Sequence, residues 1–282
     1  MLGLGGSSSQ RLRNSLTQQL LLNSYGIARR SGFFDTSIGS ALFSSAYFLY
    51  KRYEDHLADL IGSNPALVAD GNILDIGANV GYTAQVLARA VQPGYVVYAF
   101  EPEPFNYRLL ARTAARPEFA GKIVTRQCAV GAEEGTVGLW LNLRHHADHR
   151  VMTAEFRESH PAAEQISVPL VSVDAFLSKH PGSVSFVKMD VQGFEQQVCE
   201  GMKGTIAQNP GLTILLEYDP AGMRVLGFDP PALIRFLTDR GFRCQVLGAK
   251  GSLHAWPAAG MDESGYVDLL FSRLRHAAGS LV

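Results

Sequence analysis

The stretch Asn72-Ile73-Leu74-Asp75-Ile76-Gly77-Ala78-Asn79-Val80-Gly81-Tyr82-Thr83 reads as a buried strand, a tight glycine turn and the start of a helix. Gly77 and Gly81 permit backbone angles and a close approach that a Cβ would block, so a ligand can lie against the main chain beside the helix N-terminus. Twenty residues after Gly81, at the end of the next apolar run from Val96 to Phe100, comes Glu101. An acid at that place bridges the two hydroxyls of a bound ribose.

The same texture extends outward. Ile123 to Cys128, Val184 to Met189 and Leu212 to Leu216 are near-continuous apolar runs, as expected of strands buried on both faces of a parallel sheet. Tyr82 to Ala90, Pro104 to Arg116 and Phe194 to Met202 read as the helices between them, and the alternation predicts a doubly wound α/β sheet. Thr136 to Leu143 and Ile166 to Val171 read as extra strands framing a polar insertion, so a lid is expected over about 136–171. After a helix at Pro230 to Arg240, Phe242 to Leu247 and Tyr266 to Phe271 should pair antiparallel, because no crossover helix joins them. Residues 1–70 differ: Leu12, Leu16 and Leu20, then Tyr50, Tyr53, Leu57 and Leu60, recur at helical spacing. They predict an N-terminal helical extension that packs on a main domain of 71–282 or on a second subunit as a homodimer, with membrane-surface contact through the Leu12 stripe as a lesser reading.

Composition removes several classes of function. The 282 residues carry 25 Lys+Arg against 26 Asp+Glu, a net charge of -1, so no global basic field exists to neutralise a nucleic-acid backbone. The longest apolar run, Ile38 to Tyr50, is shorter than the roughly 20 residues a spanning helix needs, and no secretory signal is indicated. Three cysteines without a CxxC spacing, Cys128, Cys199 and Cys244, fit a reducing, cytoplasmic setting.

Two cofactor classes share a strand, glycine turn, helix and distal acid. A dinucleotide fold prefers GxGxxG around a pyrophosphate, whereas here the spacing is GxxxG with Asp75 before the first glycine. A carboxylate there would repel a pyrophosphate but suits the ammonium of an amino acid, which favours S-adenosylmethionine over NAD.

Asp75-Ile76-Gly77-Ala78-Asn79-Val80-Gly81, Phe100-Glu101-Pro102, Cys128-Ala129-Val130-Gly131, Val187-Lys188-Met189-Asp190-Val191-Gln192-Gly193-Phe194-Glu195 and Leu216-Glu217 together resemble the FkbM family of class I S-adenosylmethionine-dependent methyltransferases, over roughly residues 70–250. The resemblance implies a Rossmann-like, mostly parallel seven-stranded sheet with an antiparallel C-terminal strand. It also implies that Asp75, Gly77, Asn79 and Gly81 surround the methionine part of the cofactor, that Glu101 holds the ribose, and that the turn at Ala129 lies along the adenine. Members methylate mainly hydroxyl oxygens of sugars, glycoconjugates and natural products. Gln192 stands where the family usually has Glu.

Ligands of open α/β sheets bind beyond the carboxyl ends of the strands, where Asp190 and Glu217 sit. Both would face the sulfonium methyl, with Asp190 also a candidate cofactor contact; either could orient or deprotonate an acceptor hydroxyl, and Asp190 could cap the helix after it. Lys188 is read as facing the opposite side. In the insertion, His149 is a candidate base, while His145, His146 and Arg150 are candidates for acceptor binding. Asp190 and Glu217 could also donate oxygens to a divalent ion, but no tight ligand spacing is present and a metal is not favoured. The sequence thus predicts an O-methyltransferase acting on a hydroxylated small molecule or carbohydrate. A non-catalytic cofactor-binding accessory protein and an NAD-dependent oxidoreductase are the alternatives.

Overall fold

The computed structural model describes residues 56–142, 147–161, 163–256 and 265–273, with the isolated positions 31, 33, 36, 38, 39 and 42 before them. The Leu12 stripe, Tyr50 and Tyr53 therefore lie outside the described residues. In chain order the elements are α1 (His56–Ser63), β1 (Asn72–Ile76), α2 (Tyr82–Ala90), β2 (Val97–Phe100), α3 (Pro104–Ala114), β3 (Ile123–Arg126), β4 (Ala129–Val130), β5 (Gly135–Trp140) and β6 (Arg150–Val151). Then follow α4 (Ala154–Ser159), β7 (Gln165–Val171), α5 (Val173–Lys179), β8 (Val184–Met189), α6 (Glu195–Glu200), α7 (Lys203–Gln208), β9 (Thr213–Tyr218), α8 (Pro220–Val225), α9 (Pro230–Thr238), β10 (Arg243–Leu247), β11 (Leu253–Ala255) and β12 (Val267–Ser272).

The main sheet runs β11-β10-β12-β9-β8-β1-β2-β3. β1, β2, β3, β8 and β9 pair in parallel, and β12 is antiparallel to both β9 and β10, as the missing crossover helix requires. The expected seven strands become eight, because β11 turns back along β10 after a short loop.

The period-two alternation of the strands splits the core cleanly. Leu74, Ile76, Val187, Met189, Ile214 and Leu216 pack on one face, while Ile73, Phe186, Leu215 and Leu270 pack on the other with α2. Leu57, Leu60 and Ile61 of α1 join this second cluster, so that part of the helical extension packs on the sheet.

The insertion's β5, β6 and β7 join β4 in a small second sheet, β4-β7-β5-β6. Its centre is the antiparallel pair β5 and β7, with Leu139 opposite Ile166. The chain first fills the sheet from β1 outward through β2 and β3, then returns to lay β8 and β9 on the other side of β1. This reversal opens a crevice beyond the carboxyl ends of β1 and β8, where ligands of doubly wound folds bind.

Candidate active site

The crevice is a cleft lined by the ends of β1 and β2 (Ile76, Gly77, Asn79, Phe100, Glu101), by Cys128 to Val130, by the turn Asp190 to Gln192, and by the insertion through Leu139, His149 and Val151. Gly77 makes it possible. Its φ of +79° is left-handed, and a Cβ there would stand 1.9 Å from the Asp190 carbonyl oxygen. The β1 loop and the end of β8 therefore cross at backbone contact, which only glycine allows.

Glu101 forms the floor. It is fully buried, and its two oxygens accept the N–H groups of Asn79 and Glu103, each at 2.9 Å. Burial pushes its titration up to about 8 despite those donors, which favour the charged form. Asn79, itself at φ +50°, presents a buried side-chain oxygen with no hydrogen-bond partner among the described residues. A buried acceptor of this kind is costly unless a ligand donates to it.

Asp75 does not reach the cleft. It lies behind the loop with no exposed surface, accepting the Thr83 hydroxyl at 2.7 Å, and Lys188 lies 3.9 Å from its other oxygen. Burial raises its titration, with Lys188 and Thr83 opposing. Gly81 likewise sits away from the lining, against Leu110 and Thr113. Gly77, Asn79, Glu101, Ala129, His149 and Asp190 are the predicted residues that the fold brings to the cleft.

Lys188 corrects the reading that set it aside. Two residues along a strand return to the same face, so Lys188 shares the face of Asp190. Its ammonium lies 3.6 Å from Asp190 and 3.4 Å from the Gly77 carbonyl oxygen, to which it donates. The strand register explains the remainder, because Lys188 is the paired partner of Asp75 across β1 and β8. Strand parity was the signal in the sequence that could have found it.

Asp190 is not a helix cap: α6 begins after Phe194 without a side-chain cap. Its carboxyl stands at the cleft wall, where Gln192 donates its amide to Oδ1 at 2.6 Å and also to Glu217 at 3.2 Å. Glu217 is outside the lining. Burial pushes it up to about 9, helped by Asp190, Asp268 and Glu195 and opposed by Lys188. Glu195, buried beneath the same turn, accepts the Val191 and Gly193 N–H groups, and burial takes it to about 7.

In the insertion, His149 Nδ1 accepts the Asn142 backbone N–H at 3.1 Å. A neutral ring bonded in this way carries its proton on Nε2, an assignment resting on that hydrogen bond, and so acts as a donor. Arg150 is engaged by Asp148 at 2.8 Å and lies 3.7 Å from Asp219, joining β6 to the start of α8 behind the lining. His145 and His146 lie outside the described residues. Among the described residues, no group of three or more His, Cys, Asp and Glu side chains is arranged to hold a metal ion.

Residues 75–244, well over half of the chain, match the sequence profile of the methyltransferase FkbM domain. The chain belongs to the FkbM methyltransferase family. As a member it is 24% identical over 225 residues to methyltransferase sdnD of Sordaria araneosa, covering 70% of this chain and 82% of that protein. Among solved structures, the methyltransferase FkbM of Methylobacillus flagellatus superposes with a TM-score of 0.46 at 16% identity, over 72% of this chain and 43% of that longer one. The O-methyltransferase TomG of Streptomyces achromogenes, solved with S-adenosylmethionine, gives 0.43 at 15% identity over 78% and 79% of the two chains. Among the described residues, no helix of this FkbM domain is long and apolar enough to cross a membrane.

Proposed function

We propose that this chain is an S-adenosylmethionine-dependent O-methyltransferase that methylates a hydroxyl of a sugar, glycoconjugate or natural product. The observation that carries the reading is the convergence, within one cleft, of the buried Glu101, the orphaned Asn79 oxygen and Asp190. The residues fit the cofactor: two buried oxygen acceptors suit the hydroxyl and ammonium hydrogens of a nucleoside joined to an amino acid, and Ala129 with Cys128 offers an apolar flank to its base. The family supports a methyl donor over a nicotinamide dinucleotide, and cytoplasmic residence belongs to the same proposal.

When bound, the cofactor supplies an electrophilic methyl on sulfur. The acceptor oxygen would take that methyl, and its proton would pass to the chain's own groups. The protein's own work is alignment, removal of the hydroxyl proton and exclusion of water. Asp190 takes the proton. His149 donates Nε2–H to the acceptor, a role its Nδ1 hydrogen bond favours over that of base. Arg150, held by two acids, shapes the insertion against α8, and Glu217 acts from behind Gln192.

Two experiments test this reading. S-adenosylmethionine, and not NAD, is expected to raise the melting temperature, since a ligand that binds only the folded chain stabilises it. A screen of sugar nucleotides, glycolipid fragments and hydroxylated metabolites with mass-spectrometric detection should then yield a methylated product and S-adenosylhomocysteine. Stabilisation by NAD alone, or no transfer to any acceptor class, would count against it.

A further inference from the structure

Strand register assembles a row of acids at the carboxyl ends of β8 and β9 and the amino end of the antiparallel β12. Glu217 and Asp268 are paired partners across β9 and β12. Lys188 is the partner of Leu215 across β8 and β9, so Glu217, two residues on, lies level with Asp190 on the same face. Asp75 adjoins Lys188 on β1, and Glu195 is buried beneath the turn. Five carboxyl groups thus converge where the cleft meets the sheet, faced by the Lys188 ammonium and by Gln192.

Gln192 occupies an unusual backbone position, with φ at +55°. A long side chain adopts the left-handed region at some cost, and such strain concentrates at functional turns. The turn is fixed on both sides. Gly193, at φ +101°, lies so near Gly222 that a Cβ would stand 2.9 Å from its carbonyl carbon. Glu195 meanwhile gathers the N–H groups of Val191 and Gly193. Held there, the Gln192 amide nitrogen meets Asp190 at 2.6 Å and Glu217 at 3.2 Å, one hydrogen available to each.

We propose that Gln192 is a positioning residue for methyl transfer: its side-chain amide ties Asp190 to Glu217 and fixes the Asp190 carboxyl in the cleft wall. The inference rests on Asp190 as the acceptor of the hydroxyl proton. Two neighbouring carboxylates ionise together only at high cost. Burial makes Glu217 the member that holds its proton more tightly. Gln192, where the family usually has Glu, gives this chain's pair an uncharged double donor in place of a third carboxyl.

The test compares wild type with Gln192→Glu, which keeps the shape and removes both donors, and with Gln192→Gly, which tolerates the left-handed backbone and removes the side chain. Protein labelled with 13C at Asp and Glu carboxyl carbons is titrated by NMR, with signals assigned through Asp190→Asn and Glu217→Gln. The upper titration of the coupled pair is expected to rise by about one pH unit or more in Gln192→Glu. In Gln192→Gly the two acids still face each other but lose their shared donor, so both steps of the pair are expected to move to higher pH. With the acceptor found in the screen, kcat should fall about tenfold or more in both variants, with its pH profile displaced and the calorimetric affinity for S-adenosylmethionine unchanged. Titration curves and pH–rate profiles of Gln192→Gly that superpose on the wild type would overturn the proposal. Should wild-type protein fail to bind S-adenosylmethionine, the functional reading falls, and the ligand-free titration still decides whether Gln192 couples the two acids.

Discussion

Glu101 and Asp190 line the same cleft with different supports, and their substitutions should fail differently. Glu101 is held by two backbone N–H groups, so Glu101→Ala removes a preorganised acceptor without touching the Asp190 turn. We expect S-adenosylmethionine to bind roughly 10- to 100-fold more weakly by calorimetry, the worth of one or two buried hydrogen bonds. Asp190→Asn keeps size and polarity and removes the basic oxygen, so turnover should drop about 100-fold or more while cofactor affinity holds. His149 separates by donor capacity. Its Nδ1 is already engaged by the Asn142 N–H, so His149→Gln, which still offers a donor, should retain more kcat than His149→Ala. The reverse order in steady-state rates would restore His149 as the base.

The β1 loop and its crossing with β8 set the geometry that these residues use. A methyl group at Gly77 meets a carbonyl oxygen at 1.9 Å and an unfavourable φ together, while Gly94, at φ +93°, has open space around it. Gly94→Ala should therefore cost only about 1–2 kcal/mol from the backbone angle. Gly77→Ala should cost several kcal/mol more and abolish S-adenosylmethionine binding, which denaturant unfolding and calorimetry would show. Lys188 staples the same crossing, reaching Asp75 on β1, Asp190 after β8 and the Gly77 carbonyl oxygen. Lys188→Met would leave Asp75 buried beside no cation from β8, an expected loss of about 3–5 kcal/mol in unfolding free energy. Adding Asp75→Asn should recover much of it, and absence of that recovery would show that Lys188 acts mainly elsewhere.

Over the whole molecule the buried acids make stability depend on pH. Glu101, Glu195 and Glu217 titrate near 8, 7 and 9 in the folded chain because burial disfavours their charge, against an ordinary value of 4.5. Each holds its proton more tightly folded than unfolded. Folding therefore has its full advantage below about pH 4.5 with respect to these groups, and loses it as pH rises to about 9, each pH unit of separation amounting to about 1.4 kcal/mol. Urea midpoints of the ligand-free protein should fall between pH 5 and 9, and Glu217→Gln should flatten that decline at its upper end. A flat profile in the wild type would mean that these carboxyls are solvated or neutralised in solution.

The order of strands and helices, the glycine turn, the acid ending β2 and the family itself are legible in the chain, because each is local: a run of apolar residues, a φ only glycine takes easily, a fixed spacing from Gly81 to Glu101. The boundaries held to within a few residues for β1, β2, β8 and β9, where both faces are buried and composition is one-sided. What the sequence could not carry is adjacency between distant segments. Whether Asp75 points at a ligand or at Lys188, whether Glu217 lines the cleft or stands behind Gln192, and whether Arg150 is open to an acceptor or held by Asp148 and Asp219, all depend on register between strands far apart in the chain. The extra strand β11 and the cleft wall formed by Leu139, His149 and Val151 have the same origin. Local chemistry selects which elements form and where a loop can approach a ligand. Only their packing decides which carboxyls share one face, and so which of them ionise, which donate and which merely hold the others in place.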